Sequence, residues 1–410
     1  MYKQVYLNRG KEESLLRFHP WIFSGAINRI DEGLEEGDIV RVMTHDNRFI
    51  AVGHFQIGSI AVRVLSFHDV KIDDEFWESR LSAALQVRNA IGVIRQSGDA
   101  KEGYPNTTYR LVHGEGDNLP GLVIDIYGTT AVMQAHSVGM HVCREVIARA
   151  LVKVMGDQLD SIYYKSETTL PFKADLGQEN GFIYGQTDNN IAIENGLKFH
   201  IDWLKGQKTG FFIDQRENRS LLEYYAQGRS VLNMFCYTGG FSVYAMRGGA
   251  KCVHSVDSSA KAIELTNKNV ALNFPEDTRH AAFCEDAFKY LDDNEGKSQL
   301  STWLYRIAIN EALDCLRRKR SKVVTEGEDT LHLADSLLAD EYFDGDRGQA
   351  LLQEAIATLP DVQRMVFTLR YFDEMKYSDM SELLGTSVGA LKASYHIAVE
   401  KVTTYMKQYE

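Results

Sequence analysis

The sequence predicts a multidomain protein in which a small β-barrel, an α+β segment, a Rossmann-like α/β domain and an all-α helix-turn-helix part follow one another. Three observations support this fold class. Short alternating apolar runs fill residues 1–68, as in small β-barrels. A βαβα pattern runs from Ser230 to Asn273. Helical periodicity on both sides of Gly385 then predicts a helix-turn-helix near the end of the chain.

Length and composition narrow the possible classes of protein. A chain of 410 residues predicts about two to four domains, and 44% hydrophobic content is sufficient for ordinary cores. The net charge of -12 argues against bulk attraction to nucleic acid, although local basic faces can coexist with it. No apolar run approaches the roughly 20 residues that span a bilayer, and the N-terminus has no signal-peptide pattern. We therefore expect a soluble cytoplasmic protein without a membrane partner.

The cysteines predict neither a disulfide framework nor a metal site. They are five in number, scattered along the chain, and none forms a Cys-x-x-Cys pair. Each is most simply a small buried apolar residue, and Cys236 is the one that we place near chemistry. The full set is Cys143, Cys236, Cys252, Cys284 and Cys315.

The predicted barrel, residues 1–68, alternates apolar and polar positions, for example over 37–43 and 49–55. Trp21 and Phe23 stand two residues apart, which favours a place in the core over base stacking. Basic residues near them are the better candidates for contact with RNA phosphates. These candidates are Arg9, Lys11 and Arg17.

The next segment, residues 69–190, is predicted to be an α+β domain. Apolar residues recur at helical spacing from Asp73 to Ile94, which predicts one amphipathic helix. The stretch Arg110–Asp125 places many turn residues between two apolar runs. This pattern predicts a tight hairpin.

The βαβα stretch carries the strongest evidence for a ligand. The unalternated run from Val231 to Phe235 predicts a parallel strand covered on both faces. Gly239 and Gly240 follow at once and open a helix, so that backbone can approach a ligand. A second run ends in Asp257, which is placed to accept the hydroxyls of a ribose. The loop has neither the three-glycine dinucleotide pattern nor a Gly-Lys-Ser/Thr phosphate cradle, which argues against NAD and ATP.

With these residues the stretch resembles the first half of a class I S-adenosylmethionine methyltransferase. The resemblance implies S-adenosylmethionine as the cofactor and places 286–288 on the adenine side. Residues 19–27 resemble a PUA domain, an RNA-binding module. Residues 110–125 and 206–219 resemble the large-subunit ribosomal RNA cytosine-C5 methyltransferases, which join a PUA domain to a Rossmann-like catalytic domain. The implied partner is therefore ribosomal RNA.

This resemblance also implies a set of cofactor contacts. For Arg216 an alternative is open, since Asp214 and Arg216 could simply cap and pair at the start of a helix. The implied contacts are Lys205, Gln215, Arg216, Phe235, Cys236, Gly239, Asp257, Asp286, Ala287 and Phe288.

The resemblance stops near residue 296. In the family, a strand that ends in an acidic residue and two prolines comes next, and the catalytic cysteine follows later. The chain has no Pro-Pro pair, and Pro360 is its only proline after Pro275. We therefore expect an incomplete Rossmann-like domain over 191–296, assign no catalytic residue, and expect no methyl transfer.

The remaining sequence resembles the C-terminal part of an extracytoplasmic-function sigma factor. Residues 298–325 resemble the end of region 2, 326–349 form an acidic linker, and 350–410 resemble region 4 with its helix-turn-helix. The implied partners are promoter DNA and, weakly, the RNA polymerase core. The implied DNA contacts are Trp303, Tyr305, Arg317, Arg318, Arg320, Lys392, Ser394, Tyr395 and His396.

Alternatives stay open for this part of the chain. Trp303 is as well suited to a core as to DNA melting, and the basic cluster at 317–320 could be a solvated helix end. A natural fusion, a recombination event and an assembly error all fit the junction near 296–298. Two functions therefore compete: an inactive methyltransferase-like RNA-binding protein fused to a partial sigma factor, and a sigma-factor fragment that binds promoter DNA.

Overall fold

The structure, a computed structural model, describes residues 2–95, 103–171, 176, 179–294, 352, 354–372 and 375–409. The chain divides into two compact units, Met1–Ala287 and Phe288–Glu410. Nowhere in the described ranges does a helix combine the length and apolar character needed to cross a membrane. The multidomain fold predicted from the sequence is confirmed: a curled N-terminal sheet, a methyltransferase-like α/β domain and a C-terminal helical region.

The N-terminal part is one six-stranded sheet in the order β2-β6-β5-β4-β1-β3. Strands β1 and β4 are parallel, and the other neighbours are antiparallel. Its elements are β1 (Lys3–Leu7), α1 (Glu13–Leu16), β2 (Trp21–Phe23), β3 (Ile27–Ile30), β4 (Ile39–Met43), β5 (Phe49–Phe55) and β6 (Ile60–Ser66).

The two edges of this sheet lie side by side, because only the short turn Ser24–Ala26 separates β2 from β3. Ile22 from one edge and Ile27 from the other pack into the same core, so the sheet curls around it. The prediction that Trp21 and Phe23 belong to that core is wrong. Successive side chains of a strand point to opposite faces, and here Ile22 points inward while Phe23 is 50% exposed.

The middle segment packs two long helices and a five-stranded sheet, in the order β11-β10-β9-β8-β7, into one core. The predicted helix is present, and Asp73 caps its start by accepting a hydrogen bond from the N–H of Phe76. Its elements are α2 (Asp74–Ala90), β7 (Thr108–His113), β8 (Leu122–Tyr127), β9 (Thr130–Ala135), α3 (Val138–Val142), α4 (Arg144–Met155), β10 (Ser161–Tyr164) and β11 (Gly181–Tyr184).

The predicted hairpin is formed by β7 and β8, which pair antiparallel from Thr108 opposite Tyr127 to His113 opposite Val123. It is not tight, however, since residues 114–121 connect the two strands. This connection begins with the single 3-10 turn Gly114–Asp117 and continues through a left-handed residue, Asn118. The longer loop brings polar side chains to the surface at the end of the sheet.

The α/β part begins with a two-stranded ribbon and continues as three parallel strands in the order β14-β15-β16. This is the βαβα pattern predicted from the sequence. Its elements are β12 (Ile191–Glu194), β13 (Leu197–His200), α5 (Arg216–Ala226), β14 (Ser230–Met234), α6 (Gly240–Arg247), β15 (Cys252–Asp257), α7 (Ala260–Asn273), β16 (His280–Cys284) and α8 (Ala287–Asn294).

Strand β14 is an edge of the three-stranded sheet within the described residues. The prediction that it is covered on both faces is wrong: Leu232 is 39% exposed, and Phe235, which lies just beyond the strand, is 65% exposed. In the central strand, by contrast, Val253 and Val256 are fully buried. Strands that pair on both sides and lie under helices become buried, and β14 has a neighbour on one side only among these elements.

Besides most of α8, the described part of the C-terminal unit includes α9 (Asp361–Tyr371), α10 (Tyr377–Leu384) and α11 (Val388–Tyr409). Gly385 ends α10 in the left-handed conformation, with φ of 62°, as predicted for the turn of a helix-turn-helix. Met380, Leu391 and Phe367 are buried between these helices. The predicted region-2 segment and the linker, 298–349, lie outside the described residues.

Candidate functional site

A cavity of about 420 Å³ lies where β14 and β15 end. Ligands of open parallel sheets bind at the carboxyl ends of the strands, so this is the expected place for one. The cavity is lined by Asp202, Lys205, Gly206, Gln207, Phe212, Phe235, Tyr237, Thr238, Asp257, Ser259, Lys261, Ala262 and Leu265.

The loop after β14 forms one wall of the cavity and holds an unusual backbone. Phe235, Tyr237 and Gly239 all have left-handed φ angles of 56°, 49° and 74°. The N–H of Gly239 donates to the carbonyl of Cys236 at 2.8 Å, which closes the loop before α6. A side chain at Gly239 would place its Cβ 2.6 Å from Thr266 Cγ2, so glycine is required there.

Asp257, the last residue of β15, is fixed by its neighbours. Its Oδ2 accepts a hydrogen bond from the N–H of Tyr237 at 3.0 Å, and its Oδ1 accepts one from the N–H of Ser259 at 2.9 Å. Each carboxylate oxygen can accept a further hydrogen bond. The carboxylate is therefore oriented and can still receive two hydroxyl groups of a ligand.

The opposite wall is the segment after β13. The hydroxyl of Tyr237 accepts a hydrogen bond from the N–H of Gln207 at 3.1 Å, and its ring packs edge-on against Phe212. Lys261 forms an ion pair with Asp202 across the cavity wall. Burial raises the pKa of Asp202, but the hydrogen bond from Lys261 and further partners outweigh it and hold this pKa below its usual value. The two walls are thus tied together at two points.

Three of the residues predicted to bind the cofactor line this cavity: Lys205, Phe235 and Asp257. Gly239 contributes its backbone turn. Cys236 is buried, with its Sγ 3.6 Å from the hydroxyl of Thr266, and burial raises the pKa of its thiol to about 11. Such a thiol is protonated at neutral pH and is a poor nucleophile.

Gln215 and Arg216 are not among the residues that line the cavity. The guanidinium of Arg216 instead contacts the buried carboxylate of Glu194 at 3.4 Å and the carbonyl of Thr108. Gln215 accepts a hydrogen bond from the side chain of Asn218 at 2.9 Å. The alternative of a structural role at the start of α5 fits Arg216 through its ion pair with Glu194. Asp214 lies 3.7 Å from Lys208, and among the described residues no side chain caps the start of the helix.

Of the predicted adenine-side residues, Asp286 and Ala287 are not among those that line the cavity. Asp286 is exposed at the end of β16, and Ala287 is buried at the start of α8. The side chain of Phe288 lies outside the described residues.

The prediction that each cysteine is buried is wrong for Cys284. This residue is the last of β16, and it is exposed.

The three residues predicted to contact RNA are all exposed, and they lie close together in the sequence. Lys11 lines a second cavity, of about 350 Å³, together with Trp21 and Phe23. Arg17 is highly exposed and lies 4.0 Å from Glu13, a distance at which pairing in water is weak. Arg9 is exposed as well.

The predicted DNA contacts divide into two groups in α11. Lys392 and His396 are exposed, and Ser394 is half-buried. Tyr395 instead stacks on Phe367 with ring centres 5.7 Å apart, and burial raises the pKa of its hydroxyl. Its ring therefore packs against helix α9. The other predicted DNA contacts, Trp303, Tyr305, Arg317, Arg318 and Arg320, lie outside the described residues, as does Cys315.

Several residues of the cavity were not predicted from the sequence. Tyr237 lies in the predicted loop, and Lys261 follows Asp257 by four residues, so the sequence motif could have indicated both. No sequence motif indicates Asp202. It depends on the ribbon β12–β13 folding back toward α7, which the local pattern does not specify.

Three comparisons bear on this site. A model of the S-adenosylmethionine-dependent methyltransferases matches residues 156–299. Ribosomal RNA large subunit methyltransferase I from Aeromonas hydrophila is 39% identical over 302 residues, which cover 72% of this chain and 73% of that protein. The chain belongs to this methyltransferase family. The protein of the same name from Tolumonas auensis is 40% identical over 296 residues, which cover 71% of this chain and 72% of the relative. S-adenosylmethionine is the cofactor of the family.

The other matches agree with the fold of each part. A PUA-like domain matches residues 5–67, and sigma-70 region 4 matches residues 349–402. Among solved structures, a methyltransferase from Streptococcus mutans has a TM-score of 0.57 at 23% identity and covers 71% of this chain and 72% of its own. A methyltransferase solved in complex with SAH has a TM-score of 0.58, also at 23% identity, covering 71% of this chain and 72% of its own. These structures support the fold.

Proposed function

We propose that the cavity at Asp257 binds S-adenosylmethionine. The observation that carries this proposal is the carboxylate of Asp257, held by two backbone N–H groups at the end of a parallel strand and facing a cavity of about 420 Å³. Two adjacent hydroxyls of a ribose match its remaining acceptor positions. Phe235 and Leu265 supply apolar lining for an adenine ring. When bound, the cofactor supplies an activated methyl group.

The RNA ligand that we propose is large-subunit ribosomal RNA, which the names of the relatives specify as their substrate. Arg9, Lys11 and Arg17 are exposed on the curled N-terminal sheet and provide positive charge for phosphates. We propose cytosine C5 as the target atom on the basis of the resemblance at residues 110–125 and 206–219. An affinity that rests on these three residues should depend on salt.

We further propose that the chain binds its ligands without transferring a methyl group to cytosine C5. This transfer needs a nucleophile that attacks the ring. Cys236 is buried and its pKa is raised to about 11, so it does not meet that need. Strand β14 also has an open edge in the described part of the chain, where a complete doubly wound sheet continues.

Binding is tested by titrating the full chain with S-adenosylhomocysteine and, separately, with fluorescent large-subunit RNA. We expect a saturable site for the first ligand. For the RNA, three phosphate contacts predict an affinity that falls roughly 20-fold between 50 and 200 mM salt. An RNA affinity that does not change with salt would rule out phosphate contact by the N-terminal sheet.

The helix-turn-helix favours a second function, binding of promoter DNA. Helix α11 presents Lys392 and His396 to solvent after the turn at Gly385, as a recognition helix does. We propose weak binding to DNA, with little or no transcription initiation, because the first helices of sigma region 2 have no counterpart in the sequence. Efficient transcription from a cognate promoter with purified core polymerase would refute this limit.

The two functions meet in one chain at the junction near 296–298, and we propose that the protein is a chimera of two bacterial parents. Both proposed ligands, ribosomal RNA and promoter DNA, are cytoplasmic in bacteria, which supports a cytoplasmic location. Amplification across the junction from source DNA tests the chimera. We expect one continuous DNA product that spans the junction. Its absence would contradict the chimera and would mean that the two parts belong to separate proteins.

A further inference from the structure

A third cavity, of about 470 Å³, lies between α2, the β7–β8 hairpin and the start of α5. Val87 and Ile91 on α2, which are 49% and 65% exposed, form an apolar part of its lining. The lining also includes three arginines, Arg88, Arg110 and Arg216. Such a combination of apolar lining and convergent polar groups is typical of ligand sites.

Each of these arginines is fixed by a carboxylate. Arg110 donates two hydrogen bonds, at 2.8 and 2.9 Å, to Asp125, which is fully buried. Arg88 forms a two-point ion pair with Asp117, and Arg216 contacts buried Glu194. A guanidinium has five N–H donors, so a carboxylate on one side leaves others for a ligand.

Arg110 is the best placed of the three. Its side chain is 34% exposed although its partner Asp125 is not exposed at all, so the pair has one buried and one open side. On the open side, Nη1 of Arg110 lies 3.3 Å from Nδ1 of His113. The hydrogen bonds from Arg110 to Asp125 raise the pKa of Arg110, which keeps it charged.

This cavity borders the cofactor cavity through the segment 205–216. Phe212 lines the cofactor cavity, and the next residue, Ile213, lines the third cavity. The same buried Asp125 that holds Arg110 accepts a hydrogen bond from Thr209 at 2.6 Å. The hairpin and the wall of the cofactor cavity are therefore joined through one carboxylate.

We propose that this third cavity binds one unpaired nucleotide of the RNA, with its phosphate at Arg110 and its base over Val87 and Ile91. Each arginine keeps N–H donors beside its carboxylate, and these donors favour a ligand with several acceptor oxygens, such as a phosphate. The exposed apolar residues Val87 and Ile91 favour the face of a base over a simple inorganic anion. The inference rests on the proposed binding of RNA, and it adds a site that is separate from Arg9, Lys11 and Arg17.

The test changes an apolar lining residue and leaves the ion pairs intact, because removal of Arg110 would leave Asp125 buried without its cation. Val87→Glu places a negative charge in the cavity at an exposed helix position. Tyr224→Glu introduces the same charge on α5, where Tyr224 is 78% exposed and lines none of the three cavities. Binding of a fluorescent single-stranded oligoribonucleotide to the full-length variants is measured, with S-adenosylhomocysteine binding as a check on folding.

We expect Val87→Glu to weaken RNA binding about fivefold through charge repulsion, and Tyr224→Glu to leave it unchanged. Competition by uridine monophosphate distinguishes a free nucleotide from a strand, and the oligoribonucleotide should bind more tightly. Equal affinity of both variants and wild type would overturn the inference, while RNA binding that depends on Arg9, Lys11 and Arg17 would keep the proposed function. Absence of RNA binding in the wild type would overturn both.

Discussion

The carboxylate of Asp257 accepts a hydrogen bond from the N–H of Tyr237 at 3.0 Å, although the two residues are 20 positions apart. This bond joins the ends of two parallel strands and shapes the loop that carries three left-handed residues, Phe235, Tyr237 and Gly239. The side chain of Tyr237 continues the connection to Gln207 on the opposite wall. A single carboxylate therefore organises the cavity and also lines it.

Substitution of Asp257 should weaken cofactor binding. In Asp257→Ala the ribose loses its charged acceptor, which costs about 1.5–3 kcal/mol of binding free energy. Titration calorimetry with S-adenosylhomocysteine measures the loss. Asp188→Ala, at an exposed position of the same unit, is the control and should bind like the wild type. Equal affinities for both variants would show that the ribose does not lie at Asp257.

A second prediction concerns stability. The buried carboxylate of Glu194 accepts two hydrogen bonds from Arg219, each 2.8 Å long, and one from Tyr244 at 2.9 Å. In Glu194→Gln the buried guanidinium of Arg219 loses its counter-charge, so the free energy of unfolding should fall by about 3 kcal/mol. Urea unfolding measures the change.

The control for Glu194 is Glu264→Gln, which removes an exposed pair with Lys268 on the surface of α7. Exposed pairs contribute little because water screens them, so this variant should unfold like the wild type. A similar loss of stability in both variants would mean that the buried pair is not the main link between β12 and α5.

The N-terminal part should lose stability in acid because of His54. Burial lowers the pKa of this histidine to about 4, and its ring packs against Trp77 and beneath Gly139. The unfolded chain binds the proton below about pH 6.5, whereas the folded chain binds it near pH 4. Stability is therefore fully present above pH 6.5, and about 3 kcal/mol is lost as the pH falls to 4.

The check compares urea midpoints of wild type and His54→Asn at pH 7 and pH 4.5. His54→Asn is expected to have a lower urea midpoint than the wild type at both pH values, because it loses packing. Its midpoint should fall less than that of the wild type between pH 7 and pH 4.5. An identical pH dependence in both proteins would assign the acid sensitivity to other groups, such as His280, whose pKa burial also lowers to about 4.

The sequence predicts those residues of the site that lie close together in the chain, and it does not predict residues that only the packing of distant elements brings together. Gly239, Gly240 and Asp257 belong to one continuous strand–helix–strand stretch, so pattern and spacing predict where they lie. Glu194 and Arg216 are brought together by the packing of a ribbon against a helix, and no spacing rule specifies that partner. The expectation that Arg216 contacts the cofactor rests on the family resemblance, and no local pattern pointed to Glu194 as its partner.

Periodicity predicts elements better than it predicts which face is buried. The alternation at Trp21, Ile22 and Phe23 predicts a strand, but its phase is set by which side the curled sheet covers. In the same way, Lys392 and Tyr395 are both on the predicted recognition helix. Only the position of Phe367, on α9, decides that Tyr395 packs inward.

Strand β14, which is an edge of its sheet within the described residues, should promote self-association. Strand edges with unpaired backbone groups pair with other chains, and the exposed Leu232 adds apolar contact. Leu232→Lys places a charge there and should lower the fraction of oligomers seen by light scattering. Ile57→Lys makes the same change at another exposed position, in the turn after β5, and should have no effect. If both substitutions lower the fraction of oligomers equally, a general gain in solubility explains the effect, and the edge of β14 does not.

The central claim is that this chain binds S-adenosylmethionine and RNA without methylating cytosine. It is tested most directly by the transfer of labelled methyl from S-adenosylmethionine to unmodified large-subunit RNA, in a sample whose cofactor binding has been confirmed. We expect no label in the RNA. Labelled RNA whose formation is abolished by Cys236→Ala would contradict the claim, since it would make the buried thiol of Cys236 the nucleophile.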